Sequence, residues 1–280
     1  MTDDRTNTEN SGGPPPTRRG RGLRGPLRAA EQVLRRALGL TRPEPQLVRD
    51  AQAYWERPAA DDGFNFHWRG SGLFAGDDAR WLAVGREPLE AYRVFAAGLG
   101  FPPPRRVIEW GSGGGAVAVH FAPLAEAFAG VDLSADSLAE CGRQLAEFAP
   151  RTRYTPVLVT ADAPEAACEG REGTFDLFVC AYVFELLPTP EYGRRVLRVA
   201  RRLLRDGGMA VVQIKYRTAS AATAPRPWNY VRNLAQNTTY AIDEFWRDAA
   251  ACGLTPRLVT LVPDQPLVRD ERYAYFALVR

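Results

Sequence analysis

The chain has 280 residues, 45% of them hydrophobic and 25% charged, with a formal net charge of +3. That supplies a full core for one large domain with appendages, and no apolar run approaches the roughly 20 residues that a membrane-spanning helix needs. Residues 1–45 hold nine Arg and five Asp or Glu, so the rest of the chain sums to −1 and lacks the basic excess that a nucleic-acid substrate asks of a working domain.

The opening "MTDDRTNTEN" has no apolar stretch after its charges, so no secretory leader is expected. Residues 1–25 are rich in Gly, Pro, Thr and Arg without apolar periodicity and are read as a disordered basic tail. Residues 26–40, "PLRAAEQVLRRALGL", place Leu27, Ala30, Leu34, Ala37 and Leu38 on one helical face. Packing of this small face on its own domain is favoured over contact with a membrane surface or a partner. Residues 46–100 have helical character, interrupted by "RPAADDGFNFHWRGSG".

From Val107 the pattern is regular. A strand at "RVIEW" leads into a helix expected over about 114–126. A strand at "FAGVD", a helix at "ADSLAECGRQLAEF", the strand "TPVLVT" and the buried run "FDLFVCAYV" follow. The helix "EYGRRVLRVARRLL" is stopped by "GG" before the strand "MAVVQIKY". After the helix "IDEFWRDAAACGL", the strands "TPRLVTLV" and "ERYAYFALVR" are joined by "PDQPLVRD", too short for a crossover helix, and should be antiparallel. The fold class is therefore α/β: a Rossmann-like, doubly wound, mostly parallel sheet with a C-terminal antiparallel strand pair and N-terminal helices. Ligands of such sheets bind outside the carboxyl ends of the strands.

At the first of those ends stands "RRVIEWGSGGGAVAV". Gly111-x-Gly113-x-x-Ala116 fits a dinucleotide fingerprint, and Glu109-x-Gly111-x-Gly113-x-Gly115 fits a different nucleotide-like cofactor. Asp132, in "GVDLS", follows Gly111 by 21 residues, the spacing of a ribose-binding acid in either case. Glu109 separates the two. At ~4 Å two unit charges interact by about 4 kcal/mol at an effective dielectric of 20; a carboxylate there repels a pyrophosphate and attracts the ammonium and sulfonium of S-adenosylmethionine. The bland alternative for Glu109 is a carboxylate bonding the amides of its own loop.

The ordered set "VIEWGSGGGA", "GVDLSADSL", "ADA" at 161–163, "FDLFVCAYVFELLPTPE", "RVARRLLRDGGMAVVQIKY" and the terminal hairpin resembles the class I S-adenosylmethionine-dependent methyltransferases over about residues 104–280. The resemblance implies that Glu109, Gly111, Gly113 and Gly115 hold the methionine part of the cofactor. It implies that Asp132 holds the ribose with Leu133 beside the adenine, that Asp162 and Ala163 meet the adenine amino group, and that Cys180, Ala181 and Tyr182 line the methyl. Leu186 stands where many relatives carry a histidine, and Trp110 stands where a smaller apolar residue is usual; packing beneath the loop is the expected role of that indole.

A methyl transfer asks the protein to position the acceptor and exclude water, with a base when the acceptor is a hydroxyl or a protonated amine. In the resembling family the region ahead of the first strand, here 26–103, often folds over the cofactor as a lid, and His67 within it is the candidate base. A structural histidine among aromatics is the competing reading. His120, in "AVAVHFA", is read as helix packing. Lys215 and Tyr216 end the fifth strand as candidate acceptor contacts. The insertion 217–240 exceeds ordinary loop lengths and is expected to cap the acceptor through Trp228, Tyr230 and Asn233. Cys141, Cys168, Cys180 and Cys252 form no C-x-x-C pair and are read as reduced thiols of a cytoplasmic protein. With two histidines, no metal site is expected.

The expected activity is transfer of a methyl from S-adenosylmethionine to a hydroxyl or amine of a small molecule, a secondary metabolite or sugar-like acceptor. An RNA or protein methyltransferase, a non-catalytic cofactor-binding regulator and an NAD-dependent oxidoreductase are the alternatives. The sequence sets neither the acceptor atom nor an oligomeric state.

Overall fold

The computed structural model describes residues 42–57 and 67–280, together with Leu34, which is exposed. The expected basic tail, nearly all of the amphipathic segment 26–40, and Phe64, Asn65 and Phe66 lie outside the described residues.

Seven strands form one sheet in the order β3-β2-β1-β4-β5-β7-β6. They are β1 (Arg106–Trp110), β2 (Ala127–Asp132), β3 (Arg153–Leu158), β4 (Phe175–Cys180), β5 (Leu204–Lys215), β6 (Thr255–Gln265) and β7 (Asp270–Val279). Strands β1 to β5 pair in parallel, and β7 enters antiparallel between β5 and β6. The order reverses between β1 and β4, which is where such sheets open a crevice. The central strands are apolar on both faces because both are covered. Ile108, Phe178, Val212 and Phe276 face one apolar layer; their neighbours Val107, Leu177, Val211 and Tyr275 face the other.

Six helices accompany the strands among the described residues: α1 (Glu44–Trp55), α2 (Asp78–Leu99), α3 (Ala118–Phe121), α4 (Ala135–Phe148), α5 (Pro190–Leu203) and α6 (Ile242–Ala251). Local chemistry sets their starts. Asp77 caps α2 by accepting from Arg80 N at 2.9 Å, and Ser134 caps α4 from Ser137 N at 3.2 Å. Thr189 caps α5 from Tyr192 N at 3.0 Å, with Pro190 in the first turn and Arg201 and Arg202 in the last. The buried face of α5 carries Tyr192, Val196, Val199, Ala200 and Leu203, all within the core.

Two elements depart from expectation. The helix foreseen over 114–126 shrinks to α3 and a 3-10 turn at Ala122–Leu124. Residues up to Gly115 are taken by the loop, and Pro123 brings no amide hydrogen to continue the helix. The "GG" after α5 also does not separate helix from strand. Gly207 and Gly208 lie inside β5, where the pairing jumps from Phe175↔Leu204 to Leu177↔Met209 as a bulge.

Helix α2 crosses the start of the first βα unit so closely that a Cβ on Gly85 would stand 1.7 Å from Ala116 O. His120 fixes the same contact by hydrogen-bonding Leu82 O through Nε2 at 2.7 Å, in keeping with its expected packing role. Glycine inside a helix ordinarily costs about 1 kcal/mol relative to alanine, so Gly85→Ala at a free site would stabilise. Here the sign reverses: Gly85→Ala is expected to destabilise by about 1–3 kcal/mol, the usual cost of overpacking. Urea denaturation measures it, and an unchanged or raised midpoint would refute the close crossing.

Candidate functional site

Loop 111–115 leaves β1 and is tied to β2. Gly111 N and Ser112 N both donate to Val131 O, at 2.8 and 3.1 Å. Asp132, at the end of β2, completes the tie: its Oδ2 accepts from Gly113 N at 2.9 Å and its Oδ1 from Ser134 N at 3.0 Å. The Leu133 amide supports the same carboxylate. Gly111 has φ +73°, and a Cβ there would meet Val183 Cγ2 at 2.5 Å. The loop's glycines thus also admit the protein's own chain: His67 and Trp68 pack directly on Gly113 and Gly114.

Over this loop opens a cavity of about 330 Å³. Glu109, Gly111, Gly113, Asp132 and Leu133 line it, as do Ala181 and Tyr182, so most of the residues singled out in the sequence converge here. Trp110 lines it too while stacking on Phe178 at 6.5 Å between centroids, which gives the unusual indole a packing role under the loop. Gly115 is not among the lining residues; its Cα faces Cys141 of α4. Cys180 is fully buried behind the wall. Asp162 and Ala163 are exposed and outside the lining, with Val159 and Ala161 taking their place in the wall. Arg195 Nη2 donates to Asp162 O at 2.8 Å, and the Thr160 hydroxyl holds the Asp162 carboxyl below its ordinary value.

Helix α1 and the segment after β5 close the cavity. Ala51 and Trp55 of α1 line it, and Gln52 Oε1 accepts from Ala161 N. Trp55 Nε1 donates to the Tyr230 hydroxyl at 2.9 Å, joining α1 to segment 217–240. The far end of that segment is pinned to the residues after β4: Thr238 Oγ1 donates to Leu187 O at 2.7 Å and Thr238 N to Glu185 O at 3.2 Å. Tyr230, Leu234 and Ala235 line the cavity. Lys215, Trp228 and Asn233 line a neighbouring one of about 300 Å³ that shares Leu234 and Ala235 with the first. Tyr216 lines neither; its N donates to Arg272 O at 2.7 Å.

His67 sits in the cavity wall with its ring 5.9 Å from that of Trp55 and 6.4 Å from that of Trp68. Burial among these rings favours the neutral imidazole and lowers its pKa to about 4.

Two carboxylates in the wall behave oppositely. Glu109 is 2% exposed, and its Oε2 is buried with no hydrogen-bond partner. Burial, then the charge of Asp132, raises it well above the ordinary carboxylate range. Glu185 was not foreseen. It follows the sharp exit of β4, where Tyr182 takes φ +59°, a left-handed conformation that a tyrosine rarely adopts. Tyr182 N is held there by Gln213 Oε1. Glu185 is also 2% exposed, lines the cavity and has an unpartnered Oε2. Burial pushes it up to about 7, against smaller opposing contributions from backbone hydrogen bonding and from Lys215. Its sequence context, "VFELLP", carries no signal of this; its side-chain partner, the Tyr273 hydroxyl, lies 88 residues on.

All four cysteines are buried free thiols. Among the described residues no helix is long and apolar enough to cross a membrane.

Comparison with known proteins places these features. Residues 108–210 match the methyltransferase domain family. The ubiquinone biosynthesis O-methyltransferase of Ralstonia nicotianae is 27% identical over 162 residues, covering 58% of this chain and 64% of that protein; the chain spans less than two thirds of the length of the curated relatives it matches. A S-adenosylmethionine-dependent methyltransferase of Leishmania major superposes with a TM-score of 0.58 over 85% of each chain, at 18% identity. The 1,6-didemethyltoxoflavin-N1-methyltransferase of Burkholderia thailandensis, with 1,6-didemethyltoxoflavin and S-adenosylhomocysteine bound, superposes with a TM-score of 0.50 over 69% of this chain and 77% of its own, at 19% identity. At such identities the structural likeness is one of fold.

The depressed pKa of His67 yields a direct expectation. Its imidazole should stay neutral from pH 8 down to pH 5 and titrate near 4. Carbon-13 NMR, assigned by loss of the signal in His67→Gln, reads this; a midpoint near 6.5, the unperturbed value, would show that the lid does not bury it.

Proposed function

We propose that the chain, whose residues 108–210 match the methyltransferase domain family, is a cytoplasmic class I S-adenosylmethionine-dependent methyltransferase that methylates a hydroxyl or amine of a small molecule. The observation that carries this reading is Glu109: a buried carboxyl, one oxygen unpartnered, in the wall of a cavity over a glycine loop. A buried unpaired carboxylate is costly, and a ligand ammonium repays that cost where a pyrophosphate would add to it. Bound there, S-adenosylmethionine supplies a methyl already activated by a positive sulfur.

The chain's own residues divide the remaining tasks. Glu109 meets the ammonium, with Gly111 and Gly113 allowing close approach. The Asp132 carboxylate receives ribose hydroxyls, and Leu133 packs beside the base. Ala181 and Tyr182 form the wall toward the acceptor. Trp55, Phe74 and Val183 line the cavity with apolar surface, which excludes water and strengthens every charge interaction inside. Of the expected lid over 26–103, the described residues 42–57 and 67–103 act as lid, residues 104–280 as the methyltransferase domain, and segment 217–240 as the acceptor cap, through Tyr230 in this cavity and Lys215, Trp228 and Asn233 in the adjoining one. The likeness to an O-methyltransferase of ubiquinone biosynthesis and to an N1-methyltransferase of didemethyltoxoflavin supports a small acceptor.

Calorimetry with S-adenosylhomocysteine tests the cofactor. Asp132→Ala should weaken binding about 10- to 100-fold, the loss of one or two hydrogen bonds to a charged group. Because burial raises Glu109 in the free protein and a ligand ammonium favours its ionised form, binding should release protons, seen as a dependence of the heat on buffer ionisation enthalpy. Glu109→Gln should abolish that release. Tight NADH binding without homocysteine-analogue binding would sink the reading. Methyl-labelled cofactor incubated with host extract then identifies the acceptor fraction; label confined to RNA or protein would refute the small-molecule assignment.

A further inference from the structure

Four observations outside the cofactor-holding residues meet at one carboxyl. Glu185 lies just after β4, the strand beside β1, and lines the cavity beside Ala181 and Tyr182, the wall that the reading above turns toward the acceptor. Its Oε2 is buried without a hydrogen-bond partner. Its Oε1 lies 3.3 Å from the Tyr273 hydroxyl, which also donates to Asp270 Oδ2 at 2.9 Å. Asp270 in turn is ion-paired with Lys215. Antiparallel pairing sets this chain of contacts: the register Lys215↔Tyr273 brings the end of β5 beside the start of β7.

A tyrosine has one hydroxyl hydrogen; Asp270 at 2.9 Å and Glu185 at 3.3 Å compete for it, so Glu185 receives only a weak share. Glu185 is thus left a carboxylate with little hydrogen-bond support, in a cavity that excludes water. On these contacts we propose that Glu185 is the base that receives the acceptor's proton, with Tyr273 as a positioning residue that orients it. This rests on the methyltransferase reading above. In the step, the acceptor oxygen or nitrogen gains the methyl carbon, and the broken carbon–sulfur pair stays on sulfur. The acceptor's proton passes to Glu185 Oε2. One positive charge on the donor and one negative charge on Glu185 vanish together, so the closed cavity ends with no net charge gained.

The surrounding charges permit this. The groups facing Glu185 are Lys215 on β5, Asp270 and Tyr273 on β7, and Cys180 and Tyr182 at the end of β4. Lys215 and Asp270 largely cancel as an ion pair. Cys180 and Tyr182 are pushed up by burial and stay neutral. Burial therefore governs, and it brings Glu185 close to neutral pH, where a general base works best. His67, lowered to about 4, is a much weaker base at the same pH.

The experiment uses the full chain in three variants: wild type, Glu185→Gln and Tyr273→Phe. Infrared difference spectra of the cofactor-free protein between pH 5 and pH 9 should show a protonated carboxyl band lost with a midpoint near 7 in wild type and absent in Glu185→Gln. In Tyr273→Phe the midpoint should move up, because the hydroxyl supports the ionised form; this variant keeps the test alive if Glu185→Gln does not fold. The raised pKa also makes wild-type stability fall as pH rises from about 4.5 through about 7, so Glu185→Gln should gain thermal stability relative to wild type at pH 8 more than at pH 5. S-adenosylhomocysteine affinity should stay within about twofold, while single-turnover methylation of the labelled acceptor fraction falls by about 10²–10⁴ and loses its acid limb. No carboxyl titrating between pH 6 and 8, or turnover with an unchanged rate and pH profile in Glu185→Gln, overturns the proposal. Failure of wild type to bind S-adenosylhomocysteine or label any acceptor counts instead against the methyltransferase reading.

Discussion

Everything at this site depends on keeping two carboxyl groups out of water at the ends of adjacent parallel strands. Glu109 is the last residue but one of β1, and Glu185 follows β4. Each has an oxygen with no partner, in walls where apolar side chains predominate. Such groups lower stability unless a proton or a ligand neutralises them. A fold selected for stability alone would replace them with apolar side chains of similar volume at no loss. Their presence next to a cavity makes them functional candidates, and it explains why the nearby backbone is so heavily tied down. Asp132 fastens the loop, Gln213 holds the left-handed turn at Tyr182, and Thr238 clamps the chain at Glu185.

The glycine loop acquires a second meaning in this light. Glycine at such a turn is usually taken as clearance for a ligand. Here Val183 occupies the space a Cβ would need at Gly111, and His67 and Trp68 crowd Gly113 and Gly114. The loop is a junction where the lid, the exit of β4 and the first βα unit touch backbone to side chain. Substitutions in it would disturb lid seating as well as ligand approach, so loss of binding in a loop mutant does not by itself locate the ligand.

What could be read from the letters alone follows from how local each signal is. Glu109 and Asp132 are set by strand ends and spacing, and both line the cavity. The alternation of apolar runs with amphipathic helices yields the sheet, and the short link 263–270 yields its antiparallel end. Three features depend on packing instead. The helix expected over 114–126 loses its ends to a loop and a proline. Asp162 and Ala163 lie outside the cavity lining because the chain after β3 turns its Val159 and Ala161 inward and is held so by α1 and Arg195. Glu185 has no local signal, because its partner Tyr273 comes from β7, 88 residues on.

The same charge argument that favoured one cofactor over another in the sequence extends to the division of labour between His67 and Glu185. Burial lowers a histidine and raises a carboxyl because in both it disfavours the charged form. A single apolar cavity therefore weakens any imidazole base in its wall while strengthening any carboxylate. With Leu186 filling the position where related chains often carry a histidine, no imidazole follows Glu185 to compete for the acceptor's proton. A cavity built from aromatic and aliphatic walls is thus better served by glutamate than by histidine. The lid that buries His67 to seal the site is the same structure that unfits it for the chemistry.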